Sequence, residues 1–265
     1  MNLIVDIGNT RVKLAVFCDG TLVAQRSAER LHPGLLEELY AEAAGTVGAG
    51  ADCGCWIGMA SGRFARAIIS STRGTAADLI TVVRGKSDFL LEFTPETPVP
   101  VGNAYRTPQT LGRDRLAAAV GAVTLYPGRN VLIVDFGTAV TVDLVTSDGV
   151  YRGGCISPGM QMRFKSLHDY TARLPMCGPT ESVGLQGGTT EEAVQWGVMN
   201  SLSFEIEGYI GRMNEKIDDL CVIFTGGDAK FFAKRIKNTI FASCNLVLSG
   251  LNRILEYNAS EEPLD

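Results

Sequence analysis

Histidine and tryptophan are scarce in this sequence, and there is no excess of basic residues. The 265 residues include two histidines and two tryptophans, and 24 basic against 29 acidic side chains give a net charge of −5. Nucleic-acid binding usually requires a basic face, so we expect no nucleic-acid partner. Both histidines lie far from the close pair Cys53 and Cys55, which disfavours a zinc site, and we interpret the seven scattered cysteines as free thiols.

Long hydrophobic runs are absent as well. No apolar segment approaches the length of a membrane span, and the first residues lead directly into a strand-like run without a signal-type stretch. We therefore expect no membrane partner and a cytoplasmic location. With 46% hydrophobic residues, the chain still has enough apolar side chains for one large core or two modest ones.

The common glycine-rich phosphate motifs are also missing. The segment 84–87 (RGKS) matches the end of a P-loop, but Ile80 stands where the first glycine belongs. The glycines at 48, 50 and 54 do not have the Rossmann spacing. The segment 135–137 (DFG) matches a protein-kinase magnesium motif, yet the sequence has no His-Arg-Asp catalytic loop. A nucleotide site must therefore use another pattern.

What the sequence does contain is an internal repeat. The first 28 residues have the pattern of three strands joined by an acid–glycine turn and an Asp-Gly turn, and the same order returns over residues 130–157. Identical residues recur 129 positions apart, among them the six pairs Leu3/Leu132, Val5/Val134, Asp6/Asp135, Gly8/Gly137, Asp19/Asp148 and Gly20/Gly149. This predicts an α/β protein with two similar halves and a cleft between them. Each half should hold a mixed sheet that opens with an antiparallel three-stranded meander.

Each repeat places a carboxylate at a strand end beside a glycine-containing turn. Taken alone, the turn after Asp6 is equally consistent with a plain hairpin. Glycine lets the backbone approach a ligand, and backbone N–H groups and threonine hydroxyls can hold phosphate oxygens. Because Asp135 repeats the pattern, we favour a site for a nucleoside triphosphate and its cation, with Lys13 adding charge.

Between and after the repeats, the pattern alternates between helices, strands and one irregular segment. Residues 55–61 have the pattern of a buried strand, and residues 63–70 have helical spacing. Four prolines make residues 94–110 irregular, and such long segments are often functional. An amphipathic helix is predicted over 111–126. A long helix is predicted over 189–217, with Thr189 and Glu192 at capping-box spacing.

These motifs together resemble the type III pantothenate kinases of the acetate and sugar kinase/Hsp70/actin superfamily, over essentially the whole chain. The resemblance rests on four motifs: Asp6-x-Gly8-Asn9-Thr10-x-x-Lys13, Gly112-x-Asp114-Arg115, Asp135-x-Gly137-Thr138, and Gly153-Gly154-x-Ile156-x-Pro158-Gly159. The segment Tyr105-x-x-Pro108-x-x-Leu111-Gly112 is similar to the pantothenate loop of the family, although Thr107 stands where asparagine is usual. The resemblance implies duplicated actin-like (ribonuclease H-like) domains, which we expect over 1–113 and 114–265.

The resemblance also implies an activity, the ATP-dependent phosphorylation of pantothenate to 4′-phosphopantothenate, the first step of coenzyme A biosynthesis. Asp114 corresponds to the general base, Asp135 to the ligand of a monovalent cation (K⁺ or NH₄⁺), and Asp6 to a candidate Mg²⁺ ligand. The implied ATP-binding residues are Asp6, Ile7, Gly8, Asn9, Thr10, Arg11, Val12, Lys13 and Thr138. The implied pantothenate-binding residues are Tyr105, Gly112, Arg113, Asp114, Arg115 and Thr190. The family is dimeric, so we expect a homodimer.

Some of these assignments have simpler alternatives. Thr190 also suits a plain helix start, Arg115 also suits a pairing with Asp114, and the segment 226–228 resembles an adenosine turn but also suits a simple strand-to-helix turn. For the whole chain, the alternatives are a non-catalytic transcriptional accessory regulator on the same scaffold, or another small-molecule kinase or phosphohydrolase of the superfamily. The intact acidic residues argue against a regulator, and the loop around Tyr105 argues against another substrate.

Overall fold

The structure is a computed structural model that describes residues 1–48, 62–72, 77–236, 240–242 and 245–259, the segment 240–242 by its backbone. The chain packs into two compact units. The first contains residues 1–124 together with the chain from Leu246 onward, and the second contains residues 125–245. The expected domain boundaries, 1–113 and 114–265, stay a prediction. In the packing of the structure, the helix that begins after Gly112 belongs to the first unit.

The first unit is built on a mixed sheet. Its strands are β1 (Asn2–Ile7), β2 (Val12–Cys18), β3 (Thr21–Ala28), β4 (Phe64–Ser71) and β5 (Ser87–Glu92). The two-residue β6 (Gly102–Asn103) lies in the same part of the chain but does not belong to this sheet. Its helices are α1 (Pro33–Gly48), α2 (Ala77–Arg84), α3 (Arg113–Leu125) and α7 (Leu246–Ala259), with a 3-10 helix over Pro108–Thr110. The sheet order is β3-β2-β1-β4-β5, in which β4 and β5 run parallel to β1.

The second unit repeats this topology. Its strands are β7 (Asn130–Phe136), β8 (Ala139–Val145), β9 (Val150–Pro158), β10 (Leu220–Thr225) and β11 (Ile240–Ala242). Its helices are α4 (Met160–Asp169), α5 (Thr190–Asn214) and α6 (Ala229–Ala233). The order β9-β8-β7-β10-β11, with β10 and β11 parallel to β7, matches the first sheet strand for strand. The predicted duplication and the two opening meanders are confirmed, while the cleft stays a prediction.

The turns explain why both meanders form. Asp19 and Gly20 both have positive φ, 48° and 76°, as a two-residue hairpin turn requires. The corresponding turn of the second unit is longer: Gly149 has a φ of 74°, Asp148 does not have a positive φ, and Thr146 closes the turn by a backbone hydrogen bond to Val150. The first hairpin turn differs between the units by one residue. Four residues separate the paired Ile7 and Val12, but three separate Phe136 and Val140.

The two faces of the first sheet are covered by different helices. The face that carries Leu3, Val5 and Ile7 forms one apolar core with α1. The other face, which carries Asp6, packs on α7. α7 and α3 approach each other closely, because a Cβ on Gly250 or on Gly121 would overlap the backbone of the partner helix.

Several local predictions are corrected by the structure. Residues 63–70 are not helical but belong to β4, whose residues Ala67–Ile69 are buried between β1 and β5. The helix over 111–126 is confirmed as α3, but it is buried from Arg115 to Ala122 rather than amphipathic. Cys18 is disulfide-bonded, so the prediction of free thiols is wrong for this residue. The predicted strand over 55–61 lies outside the described residues. None of the described helices is long and apolar enough to cross a bilayer.

Candidate active site

The first unit carries a polar row across three strands. Asp6 on β1 is the register partner of Lys13 on β2 and of Ser70 on β4. Register partners on neighbouring strands point to the same face of a sheet. The three side chains therefore lie side by side at one end of the sheet, one step beyond the apolar row of Ile4, Ala15 and Ile68.

Asp6 is a buried acid. Its side chain is 6% exposed. Burial raises the pKa of Asp6 from 3.8 to about 6, the nearby Lys13 ammonium lowers this pKa, and the Asp114 carboxylate raises it. The two carboxylates are thus close enough to repel each other, although 108 positions separate them in the sequence. A cation or a proton at this place would relieve the cost of burying the Asp6 charge.

Asp114 lies in the first turn of α3, where the helix dipole favours a negative charge. Its Oδ1 accepts a hydrogen bond of 2.8 Å from the backbone N–H of Arg115. A Cβ on Gly112 would stand 2.6 Å from this oxygen, so glycine leaves the room that the carboxylate occupies. The motif Gly112-x-Asp114-Arg115 therefore has a local steric reason.

The start of α3 is fixed to the end of β4. Arg113 donates a hydrogen bond from Nη2 to the carbonyl oxygen of Ser71. Thr72 in turn donates from its backbone N and its Oγ1 to the carbonyl oxygen of Ile7, at 3.0 and 3.1 Å. These bonds connect the helix that carries Asp114 to the strand that carries Asp6.

The predicted pantothenate loop lies next to the same helix. The Arg115 guanidinium, on a side chain that is 6% exposed, stands over the Tyr105 ring at 5.7 Å from its centroid. Asn103 Oδ1 accepts from the backbone N–H of Tyr105 at 2.9 Å. Thr110 donates to the carbonyl oxygen and to the hydroxyl of Thr107, which closes the turn before the 3-10 helix. Tyr105, Gly112, Arg113, Asp114 and Arg115 are thus brought together.

The predicted ATP-phosphate residues follow Asp6 along the chain. Ile7 and Val12 are buried strand ends, and the exposed turn between them consists of Asn9, Thr10 and Arg11 after Gly8. The N–H of Gly8 donates to the carbonyl oxygen of Arg11 at 3.0 Å. The turn therefore lies at the strand end that carries the polar row.

In the second unit, Asp135 is enclosed by two glycines. A Cβ on Gly137 would stand 3.3 Å from Asp135 Oδ1, and one on Gly226 would overlap this oxygen and stand 2.6 Å from the Phe136 carbonyl oxygen. Gly226 also has a φ of +92°, which disfavours any other residue. Gly226 thus brings the strand end of β10 against the carboxylate.

The row around Asp135 differs from the row around Asp6. Because the first turn is one residue shorter, Thr141 stands opposite Asp135 where Lys13 stands opposite Asp6. Thr225, 2% exposed, is the partner on the other side, as Ser70 is in the first unit. The Thr141 hydroxyl thus takes the place of the Lys13 ammonium. The Asp135 carboxylate and the Phe136 carbonyl oxygen both lie next to Gly226. This set of oxygens suits a hard cation.

The remaining predicted residues lie in the second unit. Thr138 packs against Gly159. The Gly159 N–H donates a hydrogen bond of 3.1 Å to the Thr138 carbonyl oxygen, and a Cβ on Gly159 would overlap the backbone of the turn that contains Thr138. Thr190 is the exposed first residue of α5, next to the capping box of Thr189 and Glu192, which is confirmed. The segment 226–228 forms a turn in which the Asp228 N–H donates to the Phe136 carbonyl oxygen at 3.2 Å.

The sequence analysis did not predict two residues of these rows, Ser70 and Thr225. Ser70 and Thr225 are not related by the offset of 129, because the segments between the third and fourth strands differ in length. The hydroxyl-rich sequence Ser70-Ser71-Thr72 was the available signal. These hydroxyl groups gain their meaning from the strand Phe64–Ser71, which brings Ser70 beside Asp6.

The arrangement can perform a definite kind of chemistry. The first unit combines two interacting carboxylates, a lysine and an exposed glycine turn, and arginines lie beside one of the acids. Such groups suit a reaction in which phosphate charge must be neutralised and a hydroxyl group must lose a proton.

Comparison of the fold first defines the class of protein. A solved structure from Campylobacter jejuni, assigned to the Baf family of transcriptional activators, aligns with a TM-score of 0.61 at 19% identity, covering 97% of this chain and 99% of that one. A candidate 2-dehydro-3-deoxygalactonokinase from Sinorhizobium meliloti aligns with a TM-score of 0.55 at 13% identity, covering 97% and 99%. At these identities the likeness shows the fold alone, which is that of duplicated actin-like α/β domains.

Comparison of the sequence then defines the family. The family model of type III pantothenate kinase matches residues 2–212. A type III pantothenate kinase of Christiangramia forsetii is 40% identical over 261 residues, covering 98% of this chain and all of that protein. One of Phocaeicola vulgatus is 42% identical over 265 residues, covering 97% and 99%. The chain belongs to the type III pantothenate kinase family, and the expected resemblance is confirmed.

Proposed function

We propose that this chain transfers the γ-phosphoryl group of ATP to the primary hydroxyl group of pantothenate and forms 4′-phosphopantothenate, the first step towards coenzyme A. Family membership and full-length similarity support the reaction. The structural observation that carries the proposal is the charge interaction between Asp6 and Asp114. One of these acids lies in the nucleotide motif and the other in the pantothenate motif.

Asp114 is the general base of the proposed reaction. Its Oδ1 is held by the Arg115 N–H, so we assign the proton of the pantothenate hydroxyl to Oδ2. As the hydroxyl oxygen bonds to the γ-phosphorus, the bond from that phosphorus to the bridging oxygen of ADP breaks, and the proton passes to Asp114. Loose phosphoryl transfer places this proton transfer late in the reaction.

The neighbouring groups bind and orient the two substrates. Tyr105, Arg113 and Arg115 are the proposed pantothenate contacts of the first unit, and Thr190 stays a predicted contact. Arg115 is stacked near the Tyr105 ring and buried, which gives its cation a fixed place for an anionic substrate. Lys13 and the turn that follows Asp6 hold the phosphates of ATP in the proposed complex, and Thr138 stays a predicted phosphate contact.

The proposal includes two cations. Kinases of this kind use ATP with a divalent cation, and Asp6 offers Mg²⁺ a buried carboxylate next to the phosphate turn. Asp135 and the Phe136 carbonyl offer oxygen ligands to K⁺ or NH₄⁺. When bound, the cations neutralise phosphate charge in the transition state. We also propose that the protein is a homodimer and that it is located in the cytoplasm. Light scattering of the purified protein tests the dimer.

The decisive experiment is ADP release with and without pantothenate, and with and without potassium. Wild type should release ADP only with pantothenate. Asp114→Asn should lower kcat by roughly 10²–10⁴-fold, the usual effect of removing a general base, while ATP affinity changes little. Asp88→Asn, which alters an exposed acid paired with Arg63, is the matched control and should retain wild-type kcat. Near-normal turnover of Asp114→Asn would contradict the assignment of the base.

A further inference from the structure

Ser70 is a buried serine whose hydroxyl group is not used within the described structure. Its side chain is 0% exposed, and its Oγ has no hydrogen-bond partner among the described residues. Such a group has lost its bonds to water without replacement, which destabilises a folded protein, and native structures keep few of them. Alanine would fill the same place without this cost. The serine therefore calls for a functional explanation.

A loose strand end does not explain the missing partner. Thr72 binds the Ile7 carbonyl oxygen with two hydrogen bonds, at 3.0 and 3.1 Å. Arg113 binds the Ser71 carbonyl oxygen from the first turn of α3. Hydrogen bonds thus fix the backbone of the two residues that follow Ser70. The remaining freedom of Ser70 is rotation of its side chain about χ1.

The register places Ser70 beside Asp6. The two residues are Cα partners on neighbouring parallel strands and point to the same face. Neighbouring strands are about 4.8 Å apart, and a serine Oγ has three staggered positions, so a rotation about one bond directs it towards the next strand. The second sheet has the same pairing, with the hydroxyl residue Thr225 beside Asp135.

We propose that Ser70 is a positioning residue that donates a hydrogen bond to the Asp6 carboxylate in the nucleotide-bound protein. The bond holds the carboxylate in the orientation in which it would bind the Mg²⁺ ion of the nucleotide. This bond would satisfy the Ser70 hydroxyl, which has no hydrogen-bond partner among the described residues. The inference rests on the proposed function in one respect, the contact of Asp6 with ATP.

The test compares two buried serines of the same unit. Ser87 is also buried, but its Oγ donates to the Val83 carbonyl oxygen at 2.9 Å. Ser70→Ala should weaken Mg-ADP binding, measured by calorimetry, by roughly tenfold to a hundredfold, as expected for one hydrogen bond to a charged group. It should raise KM for ATP more than KM for pantothenate, with a ligand-free Tm no lower than that of wild type. Ser87→Ala should lower the Tm and leave Mg-ADP affinity unchanged.

Two outcomes would overturn the inference. One is wild-type Mg-ADP affinity in Ser70→Ala. The other is a fall in the Tm of Ser70→Ala equal to that of Ser87→Ala, which would mark Ser70 as a structural residue. Failure of the proposed function is distinguishable, because wild type would then bind Mg-ADP without releasing ADP from ATP when pantothenate is added. The comparison of Mg-ADP affinities would still decide the role of Ser70.

Discussion

Replacing Asp6 by asparagine should make the protein more stable while it removes activity. The substitution keeps the size of the buried side chain and removes its charge. The rise in the Asp6 pKa from 3.8 to about 6 means that the folded protein holds the proton more tightly than the unfolded chain does. The contribution of Asp6 to stability is therefore most favourable below pH 3.8, becomes less favourable as the pH rises to about 6, and is constant above that value.

The size of the effect follows from the same pKa. At about 1.4 kcal/mol per pKa unit, the difference between 3.8 and about 6 corresponds to about 3 kcal/mol at neutral pH. This value already contains the opposing effect of Lys13. A buried amide also needs hydrogen bonds, so the gain in Asp6→Asn should be at most this large. Activity should fall at the same time because the proposed carboxylate ligand of Mg²⁺ is gone.

The assay is urea unfolding between about pH 4 and pH 8, in EDTA and without nucleotide. The free energies of unfolding of wild type and Asp6→Asn should be close near pH 4 and should separate as the pH rises, with the variant more stable. Asp88→Asn should show no such separation, because that acid is exposed. A difference that does not change with pH, or a variant that is less stable at pH 8, would refute the reasoning.

Two further predictions concern the second unit. Asp135→Asn should abolish the activation by K⁺ or NH₄⁺, while its far-UV circular dichroism spectrum stays that of wild type. A wild-type enzyme that is equally active without these ions, or with Na⁺ alone, would contradict the assignment of a cation to Asp135. Gly226→Ala should lower kcat/KM by about 10-fold or more, because its Cβ would displace Asp135 and because φ is +92°. Gly178→Ala is its control, since a Cβ there meets nothing within 4 Å and the residue lies outside the candidate site. Equal activity of the two glycine variants would contradict the steric argument.

The parts of the fold that the sequence predicts well are those with a local cause. The meanders follow from alternating apolar residues and from Asp-Gly turns, whose backbone conformations few other residues adopt. The repetition of Asp6 as Asp135 then made the second sheet predictable from the first. The capping box of Thr189 and Glu192 is likewise a local signal, and it is confirmed.

The parts that failed depend on contacts between distant residues. The apolar residues Phe64, Ala67 and Ile68 have helical spacing, but pairing with β1 and β5 on both sides makes the segment a strand. The pairing of Asp6 with Ser70 could not be predicted without that strand. Thr141 lies opposite Asp135, where Lys13 lies opposite Asp6, because the turn of the second unit is one residue shorter. The constant offset of 129 between the other repeated residues gave no sign of this difference.

The return of α7 to the first unit has a consequence for synthesis. Asn2 on β1 donates a hydrogen bond of 2.9 Å to Asn252 on α7, so this strand packs on a helix that lies 250 positions later in the chain. At about 5–20 residues per second, β1 is exposed for roughly 10–50 s before that helix exists. The second unit is continuous in the chain and can fold meanwhile. We expect its sheet to form first during translation and the sheet that carries Asp6 to be completed only when α7 emerges.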